Sequence, residues 1–127
     1  MNPPMYRRVH DLFLGAGLCD NFIVQRLAWK DTGKGSDKFI VFRPNGGSAI
    51  RNNLGSEYYV LVDVIGAKDR NQDADDAASA IIEYVQTFPM PNDCIGHIEN
   101  MGGYPAPVPT AEGRLVYRLQ FACLFGE

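Results

Sequence analysis

The stretch EYYVLVDVIGA at residues 57–67, followed by DADDAASAIIEYVQTF at residues 73–88, decides the fold. The first segment is rich in β-branched and aromatic residues, which predicts a strand. In the second segment apolar residues recur at three- and four-residue steps, which predicts a helix with one apolar stripe. The stripe consists of Ala74, Ala77, Ala78, Ile81, Val85 and Phe88. A strand that feeds a helix packed on the same sheet is half of a crossover unit.

The polar residues of this unit have their own interpretation. Both faces of the predicted strand are mostly apolar, which places it inside a sheet. Asp63 is the exception, and we expect either a paired structural carboxylate or an interface residue. Asp73, Asp75 and Asp76 are predicted to cap the helix start, because the free amide groups there can donate hydrogen bonds to carboxylates, which also meet the positive end of the helix dipole. A calcium loop is the weaker interpretation, since Ala74 and Ala80 replace its glycine and glutamate.

The residues before this unit predict one helix and two strands. A helix over residues 4–14 would bury its apolar side, expose Arg7, Arg8 and Asp11, and end at Gly15 or Gly17. Residues 22–31 and 39–43 have strand composition and a turn-rich linker between them, which predicts a β-hairpin. Residues 43–56 form either a functional loop or an ordinary linker, unless a tight turn at residues 45–46 shortens it.

The residues after the unit predict two more strands. Residues 95–101 form a short one, and residues 102–113 carry three alternating prolines, which favour an extended arm or stiff connection. The last 14 residues, RLVYRLQFACLFGE, form the clearest strand. One of its faces is purely apolar: Leu115, Tyr117, Leu119, Phe121 and Cys123. Its other face is mixed, which suits a half-exposed surface or one covered by another subunit.

These elements predict an α+β fold: a mixed β-sheet of about five strands with two helices packed on one face. We expect a single domain over residues 1–127. Two helices can cover one sheet face only, so the other face needs water or a neighbouring molecule. This favours a homo-oligomer.

Composition narrows the class of protein. The formal charge of −3 gives no reason to expect direct nucleic-acid recognition. No apolar run approaches the roughly 20 residues that cross a bilayer, and the N-terminus has charges where a signal peptide is apolar. We therefore expect no membrane partner and synthesis in a cytoplasm. The three cysteines form no CxxC pair and are expected to be reduced and mostly buried.

No catalytic motif is recognisable, and no catalytic residue, cofactor or metal is predicted. Cys94 and His97 have a metal-like spacing, but no second pair completes four ligands. A small enzyme or ligand-binding domain is the less favoured alternative. Its best cluster would be His97, Glu99, Asp63 and Cys94.

The chain as a whole resembles a known family. The resemblance rests on MYRRVHDLF at residues 5–13, YYVLVDVIG at 58–66, DDAASAIIEYV at 75–85 and EGRLVYRLQFACLFGE at 112–127. With these segments the chain resembles the tail terminator (tail completion) proteins of long-tailed bacteriophages. The resemblance implies a ring, usually a hexamer, on the head-proximal end of the tail tube. Such a ring stops tube polymerisation, offers the head-joining surface and performs no chemistry.

The resemblance also implies partners: further copies in the ring, the phage tail tube protein and the head–tail connector protein. We expect residues 45–53 and 102–110 to make these contacts, with Arg51, Asn52, Asn53 and Tyr104 as candidates. Another head–tail connector or neck protein is the alternative within the same class.

Overall fold

The computed structural model describes residues 4–47, 57–92 and 95–125. In chain order the elements are α1 (Met5–Gly15), β1 (Ile23–Arg26), β2 (Phe39–Gly47), β3 (Glu57–Ile65), α2 (Asn71–Thr87), β4 (Ile95–Met101), β5 (Val108–Pro109) and β6 (Leu115–Phe125). The sheet order is β1-β2-β3-β6-β4, and the short β5 pairs with β6. β1 and β2 are parallel, and the other pairs are antiparallel. The predicted mixed α+β sheet is confirmed.

In the β3–α2–β4 unit, α2 connects two strands that are separated in the sheet by a third strand, β6. β3 and β4 both run antiparallel to β6, so they are parallel to each other, as predicted. They are not neighbours, because the C-terminal strand occupies the position between them. The last strand of the chain therefore becomes an interior strand of the sheet, between β3 and β4.

Both helices pack on one face of the sheet. The core there consists of Val9 and Phe13 from α1, Ala74, Ala78, Ile81 and Val85 from α2, and inward residues of the strands, including Phe42, Val62, Leu119 and Phe121. The Phe13 ring lies 5.9 Å from Phe42, 5.7 Å from Phe121 and 6.4 Å from Tyr84. Each such fully buried side chain contributes about 1.5–3 kcal/mol. Phe13 thus joins α1, α2 and the sheet.

Two residues of the helices differ from the prediction. Arg8 was expected to face out and is buried. Phe88 was assigned to the apolar stripe and is exposed, because it is the C-cap residue and its backbone has left the helix. The end of α1 agrees with the prediction. Gly17, at φ +76°, follows the cap and donates its N–H to the Leu14 carbonyl at 3.1 Å, a conformation that favours glycine.

The predicted β-hairpin over residues 22–43 is wrong, because β1 and β2 are parallel with Ile23 opposite Phe39. β1 also ends earlier than expected, since Leu27 adopts φ +74°. Residues 27–38 then return to the start of β2 as a crossover without a helix. Trp29 from this crossover packs at 5.7 Å on Phe39, whose cluster is separate from the helix-covered core. The crossover therefore covers part of the sheet face opposite the helices.

Arg114 fixes this crossover to the sheet. Its guanidinium donates to the backbone carbonyls of Asp37 at 2.6 Å, Lys34 at 2.9 Å and Gly66 at 3.0 Å. The same group lies 5.5 Å from the Phe39 ring and is fully buried. Hydrogen bonds from a charged donor are worth about 1.5–3 kcal/mol each. A single side chain near the C-terminus thus positions a loop near the N-terminus.

The dipeptide at residues 45–46 forms no tight hairpin turn. Both residues lie within β2, where the register shifts between Pro44 and Gly47 and Gly46 has φ +76°. The asparagine–glycine pair therefore makes a bulge, and β2 extends to Gly47, which pairs with Tyr58. Residues 48–56, the rest of the predicted long connection, lie outside the described residues.

Replacing Arg114 by methionine should release the crossover. We expect a loss of about 3 kcal/mol in the free energy of unfolding, because three carbonyls, one of them buried, lose a charged donor. Trp29 is the chain's single tryptophan, so its fluorescence emission should shift to longer wavelength in the folded variant. The matched control is Arg70→Met, at an exposed arginine, which should change stability by less than about 0.5 kcal/mol. Equal stability of the two variants would contradict this role of Arg114.

Candidate interaction surface

The sheet face opposite the helices, here called the open face, is only partly covered by the chain. The crossover shields the end formed by Phe39, Val41 and Ile65. The prediction that two helices leave this face to water or a neighbour is therefore wrong at that end. The remainder, along β6 and β4, stays accessible. Val108 is 61% exposed, and the Arg118 side chain is 59% exposed.

A carboxylate held by two arginines marks the centre of the open face. Asp63 lies directly opposite Val41 on one side and Arg118 on the other. The Arg118 Nε donates to Asp63 Oδ1 at 3.0 Å, and the Arg43 Nη2 donates to Asp63 Oδ2. Asp63 is 3% exposed. Of the two expectations for this residue, the paired structural carboxylate is confirmed.

The triad of Arg43, Asp63 and Arg118 carries one excess positive charge. Burial lowers the pKa of Arg43, and the positive charge of Arg118 lowers it further. The Arg43 Nε is buried and has no hydrogen-bond partner among the described residues. A buried donor without an acceptor costs about 1–3 kcal/mol. Because this Nε is enclosed, the group of the triad that a carbonyl or carboxylate of another molecule can reach is the exposed Arg118 guanidinium.

An apolar depression lies beside the triad. Val108, Val116 and the stem of Arg118 line it, and its volume is about 310 Å³. Leu124 on β6 adds a further partly exposed apolar side chain to the open face. Apolar side chains around a partly buried charge resemble the core of a protein–protein interface, where aromatic, methionine and arginine side chains are enriched. The open face is thus the best candidate interaction surface among the described residues.

Tyr104 lies on the other side of the sheet, where its hydroxyl is bound to α2. This hydroxyl donates to Asp75 Oδ1 at 2.6 Å, and Tyr117 donates to the same oxygen at 2.8 Å. Ser79 Oγ donates to the Tyr104 hydroxyl at 3.0 Å. These contacts hold the proline-containing arm, which ends in β5, against the helix. About half of the Tyr104 side chain remains exposed, and its contact role stays a prediction.

The tyrosines determine the protonation state of this cluster. The hydrogen bonds from Tyr104 and then Tyr117 lower the pKa of Asp75. Burial, and then the hydrogen bond to Asp75, raises the pKa of Tyr117 to about 12. Asp75 is therefore an anionic anchor at neutral pH. Its predicted capping role is corrected: Arg70 is the N-cap, and it makes no side-chain capping bond.

The alternative chemical cluster does not converge. Asp63 is in register with Arg118, and His97 is in register with Leu124, six residues farther along β6. At about 3.4 Å per residue this separates them by about 20 Å along the strand. His97 and Glu99 share a pocket at the β4 edge with Pro89, away from Asp63. Cys94 lies outside the described residues, and these contain no group of three possible metal ligands.

Some of the other predicted positions lie among the described residues and some do not. Arg51, Asn52 and Asn53 lie outside the described residues, so their interface role stays a prediction. Cys19 and Cys123 are buried free thiols, as expected. Burial raises the pKa of Cys19 to about 11 and that of Cys123 to about 12, so both are protonated at neutral pH. Sequence reasoning missed Arg43 and Arg118 as partners of Asp63, because only the strand register brings them together.

Substituting Asp63 by asparagine should destabilise the fold by about 2 kcal/mol, because two neighbouring arginines lose their shared carboxylate. Urea unfolding measures this change. The control is Arg118→Lys, which keeps the exposed charge and should cost less than about 1 kcal/mol. An Asp63→Asn protein as stable as the unmodified chain would show that the triad contributes nothing to folding.

Comparison with known protein families identifies the family to which the sequence belongs. The family described as phage tail termination protein matches residues 2–127. A comparison with curated proteins gives no match. Within the described residues, neither helix is long and apolar enough to span a bilayer. Since the family match covers nearly the whole sequence, the chain belongs to the phage tail termination protein family, whose members are structural proteins of bacteriophage tail assembly.

Proposed function

We propose that this chain forms a ring, hexameric by resemblance, on the head-proximal end of the tail tube. The ring stops tube polymerisation and offers the surface that the head–tail connector protein binds. It acts as a single domain over residues 1–127 and performs no chemistry. The observation that carries the proposal is the family match over residues 2–127.

The open face gives this proposal a physical basis. A closed ring repeats one heterologous contact, in which two different patches of neighbouring subunits meet. The Arg43–Asp63–Arg118 triad and the depression beside it form one such patch, with a buried unsatisfied donor and exposed apolar side chains. A neighbouring subunit that supplies a carbonyl or carboxylate to the exposed Arg118 guanidinium would stabilise the ring without changing the fold of the subunit.

A polymerisation stop also needs a surface that tube subunits do not accept. We assign this role to the two segments predicted from the sequence. In residues 102–110, the aromatic side chain of Tyr104 is about half exposed on an arm that is hydrogen-bonded to α2. In residues 45–53, the candidates are Arg51, Asn52 and Asn53. The tail tube protein and the connector protein are the proposed partners of these residues.

Electron microscopy of particles assembled without this protein tests the function. We expect over-long tails that lack heads, because tube polymerisation is no longer stopped. Filled heads without tails would instead indicate a head-completion or neck role and would overturn the proposal.

Variants supplied to such particles test the contact residues. Arg51→Ala and Tyr104→Ala should leave the chain folded and reduce the yield of infectious particles. Tyr104→Phe is the matched control, because it keeps the exposed ring and loses only the hydroxyl bound to Asp75. If the aromatic ring of Tyr104 makes the contact, the phenylalanine variant assembles normally. Normal yield from both alanine variants would remove these residues from the proposal.

A further inference from the structure

A groove beside β1 forms a second surface, which the proposed function does not use. The groove lies between β1 and the start of α1 and has a volume of about 680 Å³. Arg7 from α1, Val24 and Arg26 from β1, and Leu27 and Lys30 after it contribute to its lining. We call it the β1 groove.

The backbone of β1 is open toward this groove. β1 is an end strand of the sheet. The N–H groups of Ile23 and Leu27 donate to β2-side carbonyls, those of Lys38 and Phe42, both at 2.8 Å. Because backbone groups alternate in direction along a strand, Val24 directs its N–H and carbonyl away from β2. Such an edge is a template for another extended chain.

The side chains around this edge are positively charged. Arg7, Arg26 and Lys30 are all exposed, and none of them forms an ion pair with a described residue. The described residues that line the groove include no carboxylate. The nearest acid along α1 is Asp11, which is hydrogen-bonded to His10 at 3.0 Å. Three unpaired cations in one groove favour an acidic ligand, although the whole chain is negative.

The end of β1 is held in an unusual conformation. Leu27 adopts φ +74°, a region that residues other than glycine rarely occupy, and its side chain is 56% exposed. Gln25 fixes the following turn through two hydrogen bonds with the Lys30 backbone, both of 2.8 Å. A strained backbone held in place by a clamp is typical of binding sites. Here it presents an apolar side chain at the mouth of a cationic groove.

We infer that the β1 groove binds an extended acidic segment of another phage tail protein, which adds to the sheet as a strand beside β1. The open Val24 amide and carbonyl would pair with the backbone of this segment. Arg7, Arg26 and Lys30 would bind its carboxylates, and Leu27 would contact an apolar side chain between them. A nucleic acid fits less well, since it has no backbone amide and carbonyl to pair with a strand edge.

Binding of labelled synthetic peptides to the purified full chain, measured by fluorescence anisotropy, tests the inference. We expect a peptide of alternating valine and glutamate to bind, with an affinity that falls as salt is added. The matching valine–lysine peptide should not bind. An absence of binding by the acidic peptide, equal binding of both peptides, or tighter binding of a DNA duplex would overturn the inference.

Two pairs of variants distinguish the contribution of the β1 backbone to peptide binding from that of the charged side chains. Val24→Pro removes the outward N–H, a loss that an edge strand tolerates, and should weaken peptide binding about tenfold. Val24→Thr keeps the N–H and should bind as the original chain does. Arg26→Glu should weaken binding by about tenfold or more, and Arg26→Lys should not. With folding verified by circular dichroism, unchanged binding by Val24→Pro would exclude strand addition. This assay uses the isolated chain, so its result is independent of ring formation.

Discussion

Two helices cover one face of a sheet of six strands, and the rest of the structure depends on this constraint. Helices are about 10 Å wide and strands lie about 4.8 Å apart, so two helices side by side span roughly four strands. They cannot also shield the opposite face. Three things can cover or stabilise that face: a segment of irregular chain, pairs of opposite charges, or another molecule. The first two are present in this subunit, and the third is proposed.

Irregular chain covers one end. The crossover of residues 27–38 lays Trp29 on Phe39, and Arg114 binds three of the backbone carbonyls around it. A loop without a helix has few backbone hydrogen bonds of its own, so it needs an external donor to stay on the sheet. Arg114 is that donor. Its position directly before β6 links the last strand of the chain to the first crossover.

Paired charges satisfy the centre of the face. The Asp63 carboxylate is almost fully buried, and two arginines of the same chain donate hydrogen bonds to it. The same triad leaves the Arg43 Nε without an acceptor and the Arg118 side chain exposed. The isolated subunit therefore pairs its own buried carboxylate, while the Arg118 side chain remains accessible to another molecule. A protein of tail assembly needs both properties.

The sequence predicted what local periodicity determines and missed what distant contacts determine. β3, α2, β6 and their buried faces follow from apolar spacing within each segment, and the structure agrees. The parallel pairing of β1 with β2 could not be predicted, because Arg114 lies far from both strands in the chain. The pairing of Asp63 was predicted in kind, but its partners depend on strand register. At residues 45–46 the asparagine–glycine pair suits a tight turn, which was one of the alternatives, and it also suits the bulge that forms there.

In the proposed assembly, the uncovered part of the open face becomes an interface in the tail. Amine acylation at position 118 in the Arg118→Lys variant tests it most directly, with assembled tails compared with the same tails after dissociation. The account predicts that this position is labelled in the dissociated chain and protected in the tail. Equal labelling in both states would contradict it.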